Sequence, residues 1–124
     1  MSPSIPFLDL PAQHQPLASE LEEAFREILV SCAFCSGHAV TAFEKHFSSF
    51  AGTRETVGVN SGTSALHLAL LAAGVGPGDE VIAPAMTFLA TVSAIEYAGA
   101  TPVLVDVEPD TYCLDPSRLG ETIT

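Results

Sequence analysis

Basic residues are scarce in this chain of 124 residues, which carries four Lys and Arg against fifteen Asp and Glu. The formal net charge of −11 argues against a nucleic-acid or anionic-membrane surface, because contacts with phosphates need clustered Lys and Arg. Long apolar runs are lacking as well. The longest, residues 66–75 and 81–90, fall well short of the roughly 20 residues that cross a bilayer. We therefore expect neither a nucleic-acid partner nor a membrane partner.

Cysteine is also rare, with Cys32, Cys35 and Cys113 giving an odd count without the spacing of a disulfide framework. The first eleven residues hold prolines and an aspartate where a signal peptide needs a basic start and an unbroken apolar run. Both features predict a cytoplasmic protein. Cys32, Cys35 and His38 are spaced as three zinc ligands could be, but the segment offers no fourth ligand, and we expect no metal site.

The front of the chain, residues 1–52, predicts an extended segment followed by two helices. Prolines in the first ten or so residues disfavour helix there. Apolar residues then recur at helical spacing from Leu17 to about Ser31, and again from Val40 to Gly52, where the glycine is a plausible C-cap. Both helices should be amphipathic.

Residues 53–124 predict a β-α-β-α-β unit, and the chain is accordingly of the α/β class. Helices at 63–73 and 87–98 separate three β-prone runs, at residues 56–59, 80–83 and 101–107. These runs are apolar on both faces, as parallel strands between helices are. A last helix should begin at Asp115, and since the chain stops inside it we expect a piece of a larger enzyme.

The most informative segment lies at residues 57–66, where a predicted strand turns through Asn, Ser and Gly straight into a helix. Such a turn aims free backbone N–H groups at one point, and the helix dipole adds to their attraction for an anion. Ordinary capping by Ser61 or Thr63 would explain the same residues. Phe88 follows the next strand, where it could stack on a flat ring or fill the core at the start of a helix.

Several ordered motifs closely resemble the DegT/DnrJ/EryC1/StrS family of pyridoxal-phosphate-dependent aminotransferases, and the resemblance runs over essentially the whole chain. They lie at residues 7–10, 43–44, 60–70, 74–82, 87–91, 99–103 and 105–107. The resemblance implies the N-terminal part of the large domain of a fold-type I transferase. It also implies a homodimer, pyridoxal 5′-phosphate as cofactor, a nucleotide-linked keto sugar as substrate and an amino donor such as glutamate.

Matched position by position, Gly62, Thr63 and Ser64 resemble the cup for the cofactor phosphate, and Phe88 resembles the aromatic residue that stacks on the pyridine ring. The family's cofactor-binding lysine and its acidic partner lie downstream of every matched residue. Lys45 is therefore expected to be a solvated helix residue, and no residue of this chain is predicted to be catalytic. For Asp106 we expect a cap or loop-ordering role.

Two other functions stay open at this point. The parent protein could be a pyridoxal-phosphate-dependent sugar dehydratase of the same family, in which histidine replaces the lysine. The chain could also be a non-catalytic, truncated module for binding or dimerisation, a hypothesis that rests on the missing lysine.

Overall fold

The computed structural model describes residues 5–123, which form two compact units, the first ending at Gly58 and the second beginning at Val59. Part of the predicted extended N-terminus, residues 1–4, lies outside the described residues. Among residues 5–123, no helix is long and apolar enough to cross a membrane.

The regular elements that the structure describes in the first unit, residues 5–58, are all helical. They are α1 (Leu10–His14), a 3-10 turn (Gln15–Leu17), α2 (Ala18–Ser31) and α3 (His38–Ala51). The prediction that the first ten or so residues lie extended is wrong at its end, because α1 begins at Leu10. Pro11 lies in the first turn of α1, where its missing N–H costs no helical hydrogen bond. The Asp9 side chain caps this turn by accepting from Ala12 N at 3.1 Å.

The two predicted amphipathic helices are confirmed as α2 and α3. Both end on a residue with left-handed backbone, Cys32 with φ 53° and Gly52 with φ 67°. The apolar spacing of α3 brings Phe43 and Phe47 together, with ring centroids 5.5 Å apart.

The second unit carries the sheet, and it confirms the α/β class. Its elements are α4 (Gly62–Ala72), β1 (Glu80–Pro84), α5 (Leu89–Tyr97), β2 (Thr101–Val105), a 3-10 turn (Pro116–Arg118) and α6 (Leu119–Thr122). Strands β1 and β2 pair in parallel, with Glu80 opposite Thr101 and Pro84 opposite Val105. Helix α5 is the crossover between them, as the predicted β-α-β order requires.

The predicted strand at residues 56–59 is wrong, since the sheet of the described residues has two strands, β1 and β2. A strand exists only where its backbone pairs with a neighbouring strand. Here the Gly58 N–H donates instead to the Glu44 carboxylate, at 2.8 Å. Strand β2 also stops before the predicted end at Val107, which makes an isolated antiparallel bridge with Leu114.

A small core on one face of β1 fixes the position of α4 and α5. Ala83, Ile95 and Ala100 are buried together, and the partly buried side chains packed against them come from α4, its following loop and β1: Leu70, Val75 and Val81. Helices α4 and α5 also contact each other directly. Edge-to-face packing of His67 on Tyr97, with ring centroids 5.9 Å apart, is one such contact. Their N-terminal ends lie on the same side of the second unit, since Gly62 and Phe88 line one groove.

Candidate functional site

The N-terminal turns of α4 and α5 line one groove of about 650 Å³ in the second unit. Its walls are mostly apolar and contain no ionisable side chain. The lining residues are Gly62, Thr63, Ala65, Leu66, Ala69, Phe88, Ala90 and Thr91. The chain has fifteen Asp and Glu, but none of them lines this groove. An anion in the groove would therefore meet no repelling carboxylate among the lining residues.

The start of α4 leaves two backbone donors free. Ser61 has extended backbone, and its Oγ caps the helix by accepting from Ser64 N at 3.1 Å. The first helical bond runs from Ala65 N to Ser61 O, at 3.0 Å. Gly62 N and Thr63 N find no hydrogen-bond partner within residues 5–123. Free N–H groups at the positive end of a helix dipole bind anions.

Gly62 leaves open space next to those donors. A Cβ built on this residue would meet no atom within 4 Å, and its backbone is right-handed helical. Neither backbone strain nor a protein neighbour therefore requires glycine at this position. What the missing Cβ provides is room at the end of the groove.

Ser64 differs from the other three predicted cofactor-binding residues, because it is not among the residues that line the groove. Its N–H and its hydroxyl both contact Ser61 Oγ, each at 3.1 Å. The structure therefore brings Gly62, Thr63 and Phe88 together and leaves Ser64 in the cap. The spacing of three residues between Ser61 and Ser64 is the sequence signal of such a cap.

Phe88 is the N-cap residue of α5 and has extended backbone, with φ −71° and ψ 140°. Its side chain is 80% exposed, so within the described residues it is not a core phenylalanine. The ring lies on the same groove as the free donors of α4. A flat apolar surface and two free backbone donors therefore share one groove.

Thr91 is a groove residue that the sequence analysis did not single out. It is half-buried in the first turn of α5, and its Oγ1 lies 2.9 Å from Thr87 Oγ1. Thr87 lies just before the N-cap of α5 and is not a helix residue, so helical spacing alone does not identify the pair.

Two residues set aside in the sequence analysis lie elsewhere. Lys45 is exposed on α3 in the first unit. Asp106 orders the loop after β2: its Oδ1 accepts from Val107 N at 2.9 Å, and its carbonyl oxygen accepts from Asp115 N at 3.2 Å. Cys32 and Cys35 are exposed, and in the described part of the chain no three His, Cys, Asp or Glu side chains could hold a metal ion together.

Comparison with known proteins gives the family context of this groove. Residues 15–124 match the model of the DegT/DnrJ/EryC1/StrS aminotransferase family. Among curated proteins, the chain is 42% identical over 123 residues to the dTDP-3-amino-3,4,6-trideoxy-alpha-D-glucose transaminase of Streptomyces venezuelae, a match that covers 99% of this chain and 32% of that protein.

Solved structures share the fold over nearly the whole chain. The structure of DesV from S. venezuelae superposes with a TM-score of 0.94 at 42% identity, covering 99% of this chain and 33% of that one. NtdA from Bacillus subtilis, with the bound cofactor PMP, gives a TM-score of 0.91 at 37% identity, covering 98% of this chain and 28% of that one. The chain thus spans about a third of the length of its relatives.

Proposed function

Because the chain belongs to the DegT/DnrJ/EryC1/StrS aminotransferase family, we propose that it forms the cofactor-binding part of a pyridoxal-phosphate-dependent aminotransferase that acts on a nucleotide-linked keto sugar. The S. venezuelae relative is named as a transaminase of a dTDP-linked amino sugar, and the NtdA structure contains PMP. Glutamate as amino donor and a homodimeric full-length protein belong to the same proposal.

One observation carries the proposal: two free backbone donors and an exposed aromatic ring lie on a single groove. Pyridoxal phosphate is a flat aromatic ring joined to a phosphate ester, so it needs an anion site and a stacking surface within reach of each other. Gly62 N and Thr63 N supply the first, and Phe88 supplies the second. The groove volume, about 650 Å³, lies in the usual range for small-molecule sites. The residues present therefore fit this cofactor.

In this proposal each residue has a separate task. The N–H groups of Gly62 and Thr63 bind the phosphate, and the positive end of α4 lowers the free energy of the bound dianion. Phe88 packs on one face of the ring. The apolar side chains of Leu66 and Ala69 line the groove, and an apolar lining strengthens hydrogen bonds to the phosphate. When bound, the cofactor supplies the electron sink for amino transfer.

The described residues are proposed to bind and orient, and no proton transfer is assigned to them. Lys45, the only lysine of the chain, is exposed on α3. We propose that the residue that attaches the cofactor, and the acidic residue that pairs with the pyridine nitrogen, lie in the two thirds of the family's length that this chain does not cover.

Titration of the full-length protein with pyridoxal 5′-phosphate, followed by absorbance and induced circular dichroism, tests the proposal. Gly62→Ala places a methyl group in the open space beside the donors, and we expect roughly ten- to hundredfold weaker binding, the loss that one or two charge-assisted hydrogen bonds represent. Gly120→Ala is the matched control, since a Cβ there also meets no atom within 4 Å and Gly120 does not line the groove.

The two variants separate binding from stability. Gly120→Ala should bind as the wild type does, and both alanines should leave the midpoint of thermal unfolding unchanged or slightly raised. Wild-type protein that does not bind pyridoxal phosphate, or Gly62→Ala protein that binds it normally, would contradict the proposed site.

A further inference from the structure

We propose that Thr87 and Thr91 act as positioning residues: their hydroxyl–hydroxyl bond, here called the threonine clasp, holds Phe88 in place for stacking on the cofactor ring. This inference rests on the proposed function and deepens it. It assigns a role to two side chains that the family comparison leaves without one.

The threonine clasp closes the first turn of α5 around Phe88. Thr87 precedes Phe88 directly and Thr91 follows it by three residues, and their Oγ1 atoms lie 2.9 Å apart. The backbone makes a second closure of the same turn, from Thr91 N to Phe88 O at 3.0 Å. Phe88 thus lies inside a loop that is tied twice to Thr91.

Helix α5 has no side-chain cap at its N-terminus. Phe88 is the N-cap residue of α5, and its side chain has no oxygen that could accept from the first N–H groups of the helix. By contrast, α4 has Ser61 at this position, with its cap bond to Ser64. Without the hydroxyl pair, the first turn of α5 would be held only by its backbone, and helix ends fray readily.

Positioning matters here because the described residues do little to restrain the ring. Phe88 is 80% exposed, and Met86, two residues before it, is 63% exposed. The last sheet contact before them is the bond from Ala85 N to Val105 O, at 2.8 Å. A side chain that must be immobilised on binding lowers affinity, and a backbone fixed beforehand reduces that loss.

One of the two clasp residues, Thr91, is also part of the groove wall. Thr91 is half-buried and lines the groove with Phe88, whereas Thr87 is exposed and does not line it. Removal of the Thr87 hydroxyl therefore changes no lining residue, and any effect on binding has to pass through Thr91 and Phe88. This asymmetry makes Thr87 the more decisive site for substitution.

Valine variants of the full-length protein test the clasp, because valine matches threonine in shape and lacks the hydroxyl. We expect Thr87→Val and Thr91→Val each to weaken the binding of added pyridoxal 5′-phosphate roughly three- to tenfold, the loss of one hydrogen bond. The amplitude of the induced circular dichroism should fall as well, since it reports how firmly the ring is held. The double variant Thr87→Val/Thr91→Val should have the same affinity as the single variant that binds less tightly, because each substitution removes the same hydrogen bond.

Serine variants provide the rescue. Thr87→Ser and Thr91→Ser keep the hydroxyl and should retain wild-type affinity and dichroism. Thr111→Val is the matched control: Thr111 donates to Glu108 at 2.9 Å in the second unit but does not line the groove. The unfolding midpoint of each cofactor-free variant shows whether a change in binding merely follows a loss of stability.

The outcomes are distinguishable. Valine variants that bind as the wild type does overturn the threonine clasp and leave the proposed function standing. Equal losses for serine and valine, or a loss of affinity that follows the cofactor-free unfolding midpoint, overturn the positioning role too. Failure of the wild type to bind pyridoxal phosphate overturns both the clasp and the proposed function.

Discussion

The Oε1 atom of Glu44 accepts a hydrogen bond from the backbone N–H of Gly58 at 2.8 Å. The bond joins α3 to a segment fourteen residues further along the chain, in place of the strand pairing that the sequence predicted there. Gly58 fits closely against this helix, since a Cβ on it would lie 3.5 Å from the same oxygen and 3.7 Å from Val40 Cγ1. One half-buried carboxylate thus fixes the end of the first unit.

Glu44→Ala should lower the free energy of unfolding of the full-length protein by about 1 kcal/mol, because it leaves the Gly58 N–H without its acceptor. Glu44→Gln keeps an acceptor oxygen without the charge and should cost less. Denaturant unfolding measures both. Lys45→Ala, at the exposed neighbouring position, is the control, and a Glu44→Ala protein no less stable than Lys45→Ala would show that the bond contributes nothing.

Ser61 allows capping and anion binding to be separated. Ser61→Ala removes the acceptor for Ser64 N and should cost about 1 kcal/mol of stability. Ser61→Asp keeps a capping oxygen and favours the helix dipole, so stability should be retained. Its negative charge next to the free N–H groups should nevertheless repel a phosphate.

The two Ser61 variants are compared by thermal unfolding without cofactor and by titration with pyridoxal phosphate. We expect Ser61→Asp to be the more stable variant and the weaker binder. If affinity instead follows stability across the pair, the start of α4 is a structural cap and not an anion site.

Gly99 is required by the fold, in contrast to Gly62. It has φ +84°, and a Cβ on it would lie 3.0 Å from Pro77 Cγ. Gly99→Ala should therefore lower the free energy of unfolding by about 1–2 kcal/mol or more, through left-handed strain and the contact with Pro77. In the Pro77→Ala background the contact is relieved, so the cost of Gly99→Ala should fall without disappearing. If the losses of stability from Gly99→Ala and Pro77→Ala simply add in the double variant, the contact with Pro77 does not cause the loss at Gly99.

Asp115 should make stability depend on acid pH. Its pKa is lowered because the Ser117 hydroxyl donates to Oδ1 at 2.6 Å and the Ser117 N–H donates at 2.9 Å, with a smaller contribution from Arg118. A group whose pKa is lower in the folded state stabilises the fold above its unfolded value, near 3.9, and loses this effect as the pH falls through the folded value.

Comparison with Asp115→Asn, which caps without titrating, isolates this effect. The difference in unfolding midpoint between wild type and variant should be constant at pH values well above the unfolded pKa of Asp115, and it should shrink as the pH falls through the lower, folded pKa. In a Ser117→Ala background the shrinkage should be smaller, because the main cause of the shift is gone. A difference that does not change with pH would show that the Asp115 hydrogen bonds contribute no linkage.

Elements that depend on neighbours along the chain could be read from the sequence. Helical periodicity located α2 and α3, and Gly52 marked the end of α3. Asp115 is an N-cap as predicted, but the element that it caps is the 3-10 turn before α6. Strands β1 and β2 followed from short apolar runs between helices. The order of the motifs also indicated the family. All of these signals rest on residues a few positions apart, where local geometry decides the outcome.

The candidate site could be predicted only in part. The turn at Ser61 marked the start of α4, but its residues served equally well as a cap and as an anion site. Ser64 proved to contact Ser61, whereas Gly62 and Thr63 have free N–H groups on the groove. Which donors remain free is a matter of hydrogen-bond geometry at atomic scale, and residue types alone do not fix it.

Tertiary structure decided what depends on distant partners. A strand at residues 56–59 required a neighbouring strand, and the Gly58 N–H bonds to the Glu44 side chain instead. Phe88 shares a groove with Gly62 because packing of α4 and α5 on the core around Ile95 brings their first turns together. The sequence by itself determined helices α2 to α5, the capping residues Gly52 and Asp115, and the family. Packing decided which residues meet, because contacts between distant segments form only when the whole chain folds.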